Sequence, residues 1–191
     1  MKPIKSKDRF QNFDWEDFYR DACEPIPLDV PRSRGKSVLT HCFVYTKHAG
    51  YKTTRRSMTG ILIFCNRDQM IWHSKRQNGV ETLTFGSEFT AMKSSVELIA
   101  ALRYKLKLFE VPIDGSTEIF CDNEAVCNNA SIPESQLRKK HNSISYHMRR
   151  EAVASGACRV LKYDTETNIS DIFTEVLPQP RMELILDSLT Y

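Results

Sequence analysis

The 191-residue chain has no apolar run of the ~18 residues that a membrane-spanning helix needs, and no apolar stretch behind its basic start, Met1 to Lys7, to make a signal peptide. It has no Cys-x-x-Cys pair. Its six cysteines, Cys23, Cys42, Cys65, Cys121, Cys127 and Cys158, stand singly and no matching histidine pair follows them. A finger-type zinc site is therefore not expected, and free thiols in a reducing compartment are. Together these absences predict an intracellular protein, cytoplasmic or nuclear, with no membrane association. Asn129-Ala130-Ser131 and Asn168-Ile169-Ser170 match the glycosylation pattern but carry no weight without a secretory signal. A strong excess of one charge is also missing. With 27 basic and 24 acidic residues the net charge is +3, so any case for a nucleic-acid partner rests on where the charges cluster. Internal repeats, low-complexity tracts and a Tyr-x-Asp-Asp polymerase motif are absent as well.

What is present reads as one globular domain with a real core, 41% hydrophobic and 27% charged. Residues 1–36 are polar, broken by Pro25, Pro27 and Pro31, and read as a linker or remnant of a longer chain. Phe10, Phe13, Trp15, Phe18 and Tyr19 within it suggest a short docking helix. Val38 to Lys47, Thr59 to Cys65 and Gln69 to Ser74 read as strands, the last two as a hairpin about a three-residue turn, Asn66 to Asp68. From Phe85 to Phe109 apolar residues recur every three or four positions, which predicts a helix of about six turns capped by Thr84 or Ser87. Thr117 to Cys121 reads as a buried strand and Asp122 as the cap of the helix after it. Ser135 to Ser155 is helical and ends at Gly156; Cys158 to Tyr163 is a strand. From Ser170 on, a helix interrupted by Pro178 and Pro180 leads to a tail, residues 178–191. This order predicts an α/β fold for residues 37–177: a mixed five-stranded sheet, three antiparallel strands plus two parallel ones, with helices on both faces.

Three acids stand at element starts. Glu88 is placed in the first turn of the long helix, Asp122 at the carboxyl end of a strand, and Asp171 at a helix start. Each suits a helix N-terminus for ordinary reasons. Converging, they would repel one another unless a hard cation such as Mg²⁺ or Mn²⁺ neutralised them. Ions paired ~4 Å apart can drive phosphodiester cleavage.

Seven segments, in order, carry a resemblance: His48-Ala49-Gly50, Thr53 to Gly60, Ile71 to Gln77, Thr84 to Phe89, Cys121-Asp122-Asn123, Lys140-His141 with Tyr146-His147, and Ser170 to Thr174. The chain resembles the ribonuclease H domain of the polymerase polyprotein of copia-type LTR retrotransposons. The resemblance implies a ribonuclease H-like fold, Mg²⁺- or Mn²⁺-dependent cleavage of the RNA strand of RNA–DNA hybrids, and Glu88, Asp122 and Asp171 as catalytic metal ligands. The family's first aspartate lies in an Asp-Ala-Asp-x-Ala-Gly segment, which here is Tyr45 to Gly50, so Tyr45 and Lys47 replace both aspartates. The family's Thr-Lys near the end is here Thr174-Glu175. A phenol offers no anionic oxygen at pH 7, and Lys47, on the same strand face, brings a positive charge that would partly neutralise Glu88 and Asp122. The expected outcome is a degenerate copy with impaired cleavage. The alternatives are a non-catalytic nucleic-acid-binding module and a functionless relic of a transposable element. Arg55, Arg56, Lys75, Arg76, Asn123, Lys139 and Lys140 are the expected contacts to a hybrid backbone, with Arg149 and Arg150 as a further surface cluster.

Overall fold

In the computed structural model, residues 14–51, 53–136 and 143–189 are described. Five strands form one sheet: β1 (Thr40–Lys47), β2 (Met58–Cys65), β3 (Asp68–Arg76), β4 (Thr117–Cys121) and β5 (Cys158–Lys162), in the order β3-β2-β1-β4-β5. β1 to β3 form an antiparallel meander; β4 lies parallel to β1, and β5 parallel to β4.

The central strands are apolar on both faces because both faces are covered. Cys42, Val44, Ile61, Ile63, Ile119 and Val160 pack against the long helix α2 (Thr84–Leu108), α3 (Glu124–Ser131) and α4 (Ser143–Ala154). Phe43, Leu62, Phe64, Phe120 and Leu161 point the other way. They meet Ile169 of a 3-10 turn (Ile169–Phe173) and Ile185 of α5 (Gln179–Leu189). The α/β architecture expected from the order of elements is the one observed.

Several boundaries differ. The β2–β3 loop is two residues, Asn66 and Arg67, because Cys65 pairs directly with Asp68. Asn66 takes φ 57, a left-handed conformation that asparagine tolerates, and its Oδ1 accepts from the Leu39 N–H (3.0 Å). Neither Thr84 nor Ser87 caps α2; the N-cap is Leu83, and the Ser87 hydroxyl donates to the Thr84 carbonyl (2.8 Å). Phe109 is the C-cap and is 75% exposed, so the apolar stripe ends at Leu106. Within the stretch read as a tail, residues 179–189 form α5. Pro180 sits in the first turn of α5 instead of interrupting a helix, since that turn needs no N–H partner, and Ile185 docks α5 on the sheet, 1% exposed.

The described part of the lead-in, residues 14–36, is tied to the domain at Tyr19 and Glu24. α1 (Glu16–Tyr19) sits over α4, with the Tyr19 hydroxyl 2.6 Å from His147 Nδ1. Glu24 bridges Arg103 (2.7 Å) and Lys107 (2.9 Å) of α2. Phe10 and Phe13 lie outside the described residues. Arg149 and Arg150 are not a surface cluster: both are buried. Arg149 stacks on Phe89, 3.4 Å from the ring centroid, and Arg150 donates to the carbonyls of Asn129 (3.2 Å) and Ile132 (2.8 Å). The asparagines of both glycosylation patterns, Asn129 and Asn168, are buried too.

Candidate active site

Since β1 and β4 are parallel, both bring their carboxyl ends to one edge of the sheet, and the candidate residues gather there. Glu88 is the fifth residue of α2, in its second turn, and faces the sheet with 8% exposure. Its Oε2 is buried without a hydrogen-bond partner. Burial first, and then the charge of Asp122, push its carboxyl up to about 7, while the Asn123 amide and Lys162 pull the other way. Asp122 follows β4. It does not cap α3; Asn123 does, accepting from the N–H groups of Ala125 (2.9 Å) and Val126 (3.2 Å). That leaves the Asp122 carboxylate available, and its Oδ2 accepts from the Thr165 hydroxyl (3.1 Å). Lys162 Nζ donates to the Asp122 carbonyl.

Glu88, Cys121 and Asp122 offer ligand atoms that all lie within 4.8 Å of one another. Asp171 is not part of that group. It sits in the 3-10 turn on the sheet's second face, fully buried, with Oδ2 2.7 Å from an Arg181 guanidinium nitrogen and Oδ1 accepting from the Thr174 hydroxyl (3.1 Å). Burial pushes the Asp171 carboxyl up, and the Arg181 charge opposes it. Two anchors fix the turn. Asn168 Nδ2 donates to the Val44 carbonyl (3.0 Å), and Asn168 Oδ1 accepts from the Ser170 N–H (3.1 Å). Gly60, opposite Tyr45 in the register, lets the turn approach; a Cβ there would lie 2.5 Å from the Ser170 carbonyl oxygen.

Tyr45 stands between the two groups. Burial, then the charges of Asp171, Glu175 and Asp122, push its hydroxyl up to about 12, so it is a neutral phenol among three carboxylates. Lys47, two residues on, forms an ion pair with Glu175. Its partner is thus not Glu88 or Asp122, and among the described residues Lys162 is the cation that bears on Glu88. The residues present do not fit a two-ion, all-oxygen centre: Tyr45 supplies no anion, and Asp171 is already paired with Arg181.

The expected nucleic-acid contacts partly converge. Arg55 and Arg56 lie in the turn before β2, and Lys75 and Arg76 end β3. Arg76 pairs in register with Met58, which pairs with Lys47, so all four basic residues share the edge with the acids. Arg55 adopts φ 53, and Arg76 stacks over Tyr51 at 5.1 Å. Asn123 is occupied as a cap, and Lys139 and Lys140 lie outside the described residues. Sequence reasoning missed Arg181, Lys162, Thr165 and the part Cys121 plays. Only Cys121 carried a local signal, its position beside Asp122.

No family model matches the chain. It is 28% identical over 149 residues, 75% of its length, to the retrovirus-related Pol polyprotein from transposon RE1 of Arabidopsis thaliana. It is 30% identical over 138 residues, 71% of its length, to that from transposon TNT 1-94 of Nicotiana tabacum. The chain spans 10% of the length of each of these relatives. In three dimensions it is similar to an N-terminal ribonuclease H domain from Mycobacterium tuberculosis, with TM-score 0.53 and 9% identity over 81% of this chain and 100% of that one. It is similar also to LC11-RNase H1 solved with an RNA/DNA hybrid, with TM-score 0.53 and 11% identity over 72% of this chain and 94% of that one. The chain is a ribonuclease H-like domain related to the retrovirus-related Pol polyproteins of copia-type transposons.

Proposed function

We propose that this domain holds an RNA–DNA hybrid along its basic edge and cleaves it very slowly or not at all. The observation that carries the reading is the 2.7 Å pairing of Asp171 with Arg181 beside a neutral Tyr45. One carboxylate is spent and another is missing where the family's chemistry needs both to hold Mg²⁺ or Mn²⁺. The exposed Arg55, Lys75 and Arg76 support the binding half of the reading, since phosphate contacts dominate affinity for nucleic acid. So does the hybrid bound by the structural neighbour LC11-RNase H1.

Two measurements test it. Hybrid affinity should exceed duplex-DNA affinity and fall with salt; equal, salt-independent affinities would favour a relic without a binding role. In a cleavage assay with Mg²⁺ the unaltered protein should be inert. Tyr45→Asp with Lys47→Asp and Glu175→Lys should restore cleavage best when Arg181→Gln is added, because Glu175 would otherwise face a new carboxylate in place of Lys47 and Arg181 would still hold Asp171. Robust cleavage by the unaltered protein, abolished by Asp122→Asn, would overturn the proposal.

A further inference from the structure

The part of the site that the ion pairs leave open is not made of oxygen alone. Cys121 is the last residue of β4, 3% exposed, and its sulfur belongs to the same 4.8 Å group as the carboxylates of Glu88 and Asp122. Glu88 is more than nine-tenths buried, and its Oε2 has no hydrogen-bond partner there. A buried carboxylate oxygen left unpaired is costly unless something unseen satisfies it.

We infer that Glu88, Cys121 and Asp122 bind a single thiophilic divalent cation of the zinc and cadmium class, and not Mg²⁺. Zinc accepts sulfur and carboxylate oxygen together at ~2.0–2.3 Å and is content with three protein ligands plus water. Around a tetrahedral ion a sulfur at ~2.3 Å and an oxygen at ~2.0 Å stand ~3.5 Å apart, so ligand atoms spread over as much as 4.8 Å must draw together by about 1 Å on binding. Mg²⁺ demands near-octahedral oxygen and gains nothing from a thiol.

The surroundings suit such an ion. The Thr165 hydroxyl holds Asp122 Oδ2 at 3.1 Å, the kind of outer contact that orients a ligand. On binding, the Cys121 thiol loses its proton to solvent, which leaves two carboxylates and a thiolate around a dication. The surplus negative charge is met by Lys162, whose Nζ is held at the carbonyls of Asp122 and Tyr163. This inference does not depend on hybrid binding or on cleavage.

The test uses the full chain with Cys23→Ser and Cys65→Ser, which removes the more accessible thiols. Cd²⁺ is titrated against the ultraviolet thiolate-to-metal charge-transfer band in the presence of excess Mg²⁺. One Cd²⁺ per chain is expected, undisturbed by Mg²⁺. Cys121→Ser should abolish the band and weaken binding by more than the ~10–100-fold typical of outer-shell changes. Glu88→Gln and Asp122→Asn should each keep some band but weaken binding by at least ~10-fold. Because Cys121→Ser changes a buried residue, the carboxylate variants serve as the independent arm if it does not fold. No band in the parent protein, a band that survives Cys121→Ser, displacement by Mg²⁺, or affinity unchanged in both carboxylate variants would each overturn the inference.

Discussion

The two sides of the sheet edge hold their charge in opposite ways. On the α2 side, Glu88 and Asp122 stand close together, and among the described residues no arginine pairs with them. On the α5 side, Asp171 is paired with Arg181 and Glu175 with Lys47, so the negative charge is satisfied by the chain itself. A buried carboxylate is tolerated only where something answers its charge. Here one group is answered by side chains and the other waits for an outside cation or a proton.

Removing the internal cation should break the contrast most strongly. Arg181→Ala leaves Asp171 buried and unpaired, which should cost roughly 3 kcal/mol in chemical denaturation. Adding Asp171→Asn should recover much of that loss, since contacting partners are not additive. Gly60→Ala comes next. Its Cβ would meet the Ser170 backbone, displace the turn that carries Asp171, and cost about 1–3 kcal/mol.

Glu88→Gln probes the other side and should act in the opposite direction. The folded protein holds the Glu88 proton up to about 7, against an ordinary 4.5, so the folded state binds more protons than the unfolded one within that window. Stability should therefore fall as pH rises from 4.5 to about 7 and stay flat above. In metal-free buffer above pH 7, Glu88→Gln should stabilise by on the order of 1–2 kcal/mol and flatten that slope in melts across pH. The smallest effect belongs to Lys47 and Glu175, which are partly exposed. A double-mutant cycle with Lys47→Ala and Glu175→Ala should give a coupling of ~0.2–1 kcal/mol that shrinks with added salt.

The architecture was legible because its signals are local and repeated. β1 alternates between two apolar faces, α2 keeps its period from Phe89 to Leu106, and Gly156, at φ 73, ends a helix as glycines do. The closeness of Glu88 and Asp122 was legible for the same reason, since one lies early in α2 and the other just past β4 on a sheet whose order could be read. The α5 half was not. Arg181 reaches Asp171 from a helix that Pro178 and Pro180 appear, in sequence, to forbid, and proline at a helix start looks no different from proline at a break. Lys47 points in sequence to Glu88 and Asp122, yet its partner, Glu175, lies 128 residues away. Arg149 and Arg150 show the same limit: adjacent arginines read as surface until stacking and carbonyl contacts bury them.

The grip of the lead-in on the domain bears on where the chain can be cut. Arg103 sits on α2 with its side chain 6% exposed, and Glu24 supplies its carboxylate from well before the first strand. Trp15 and Tyr19 roof Arg150 with their rings. A fragment starting at residue 37 would uncover two guanidinium groups that the sheet and helices alone do not cover. Thermal melts should then rank a fragment starting at residue 37 below the full chain.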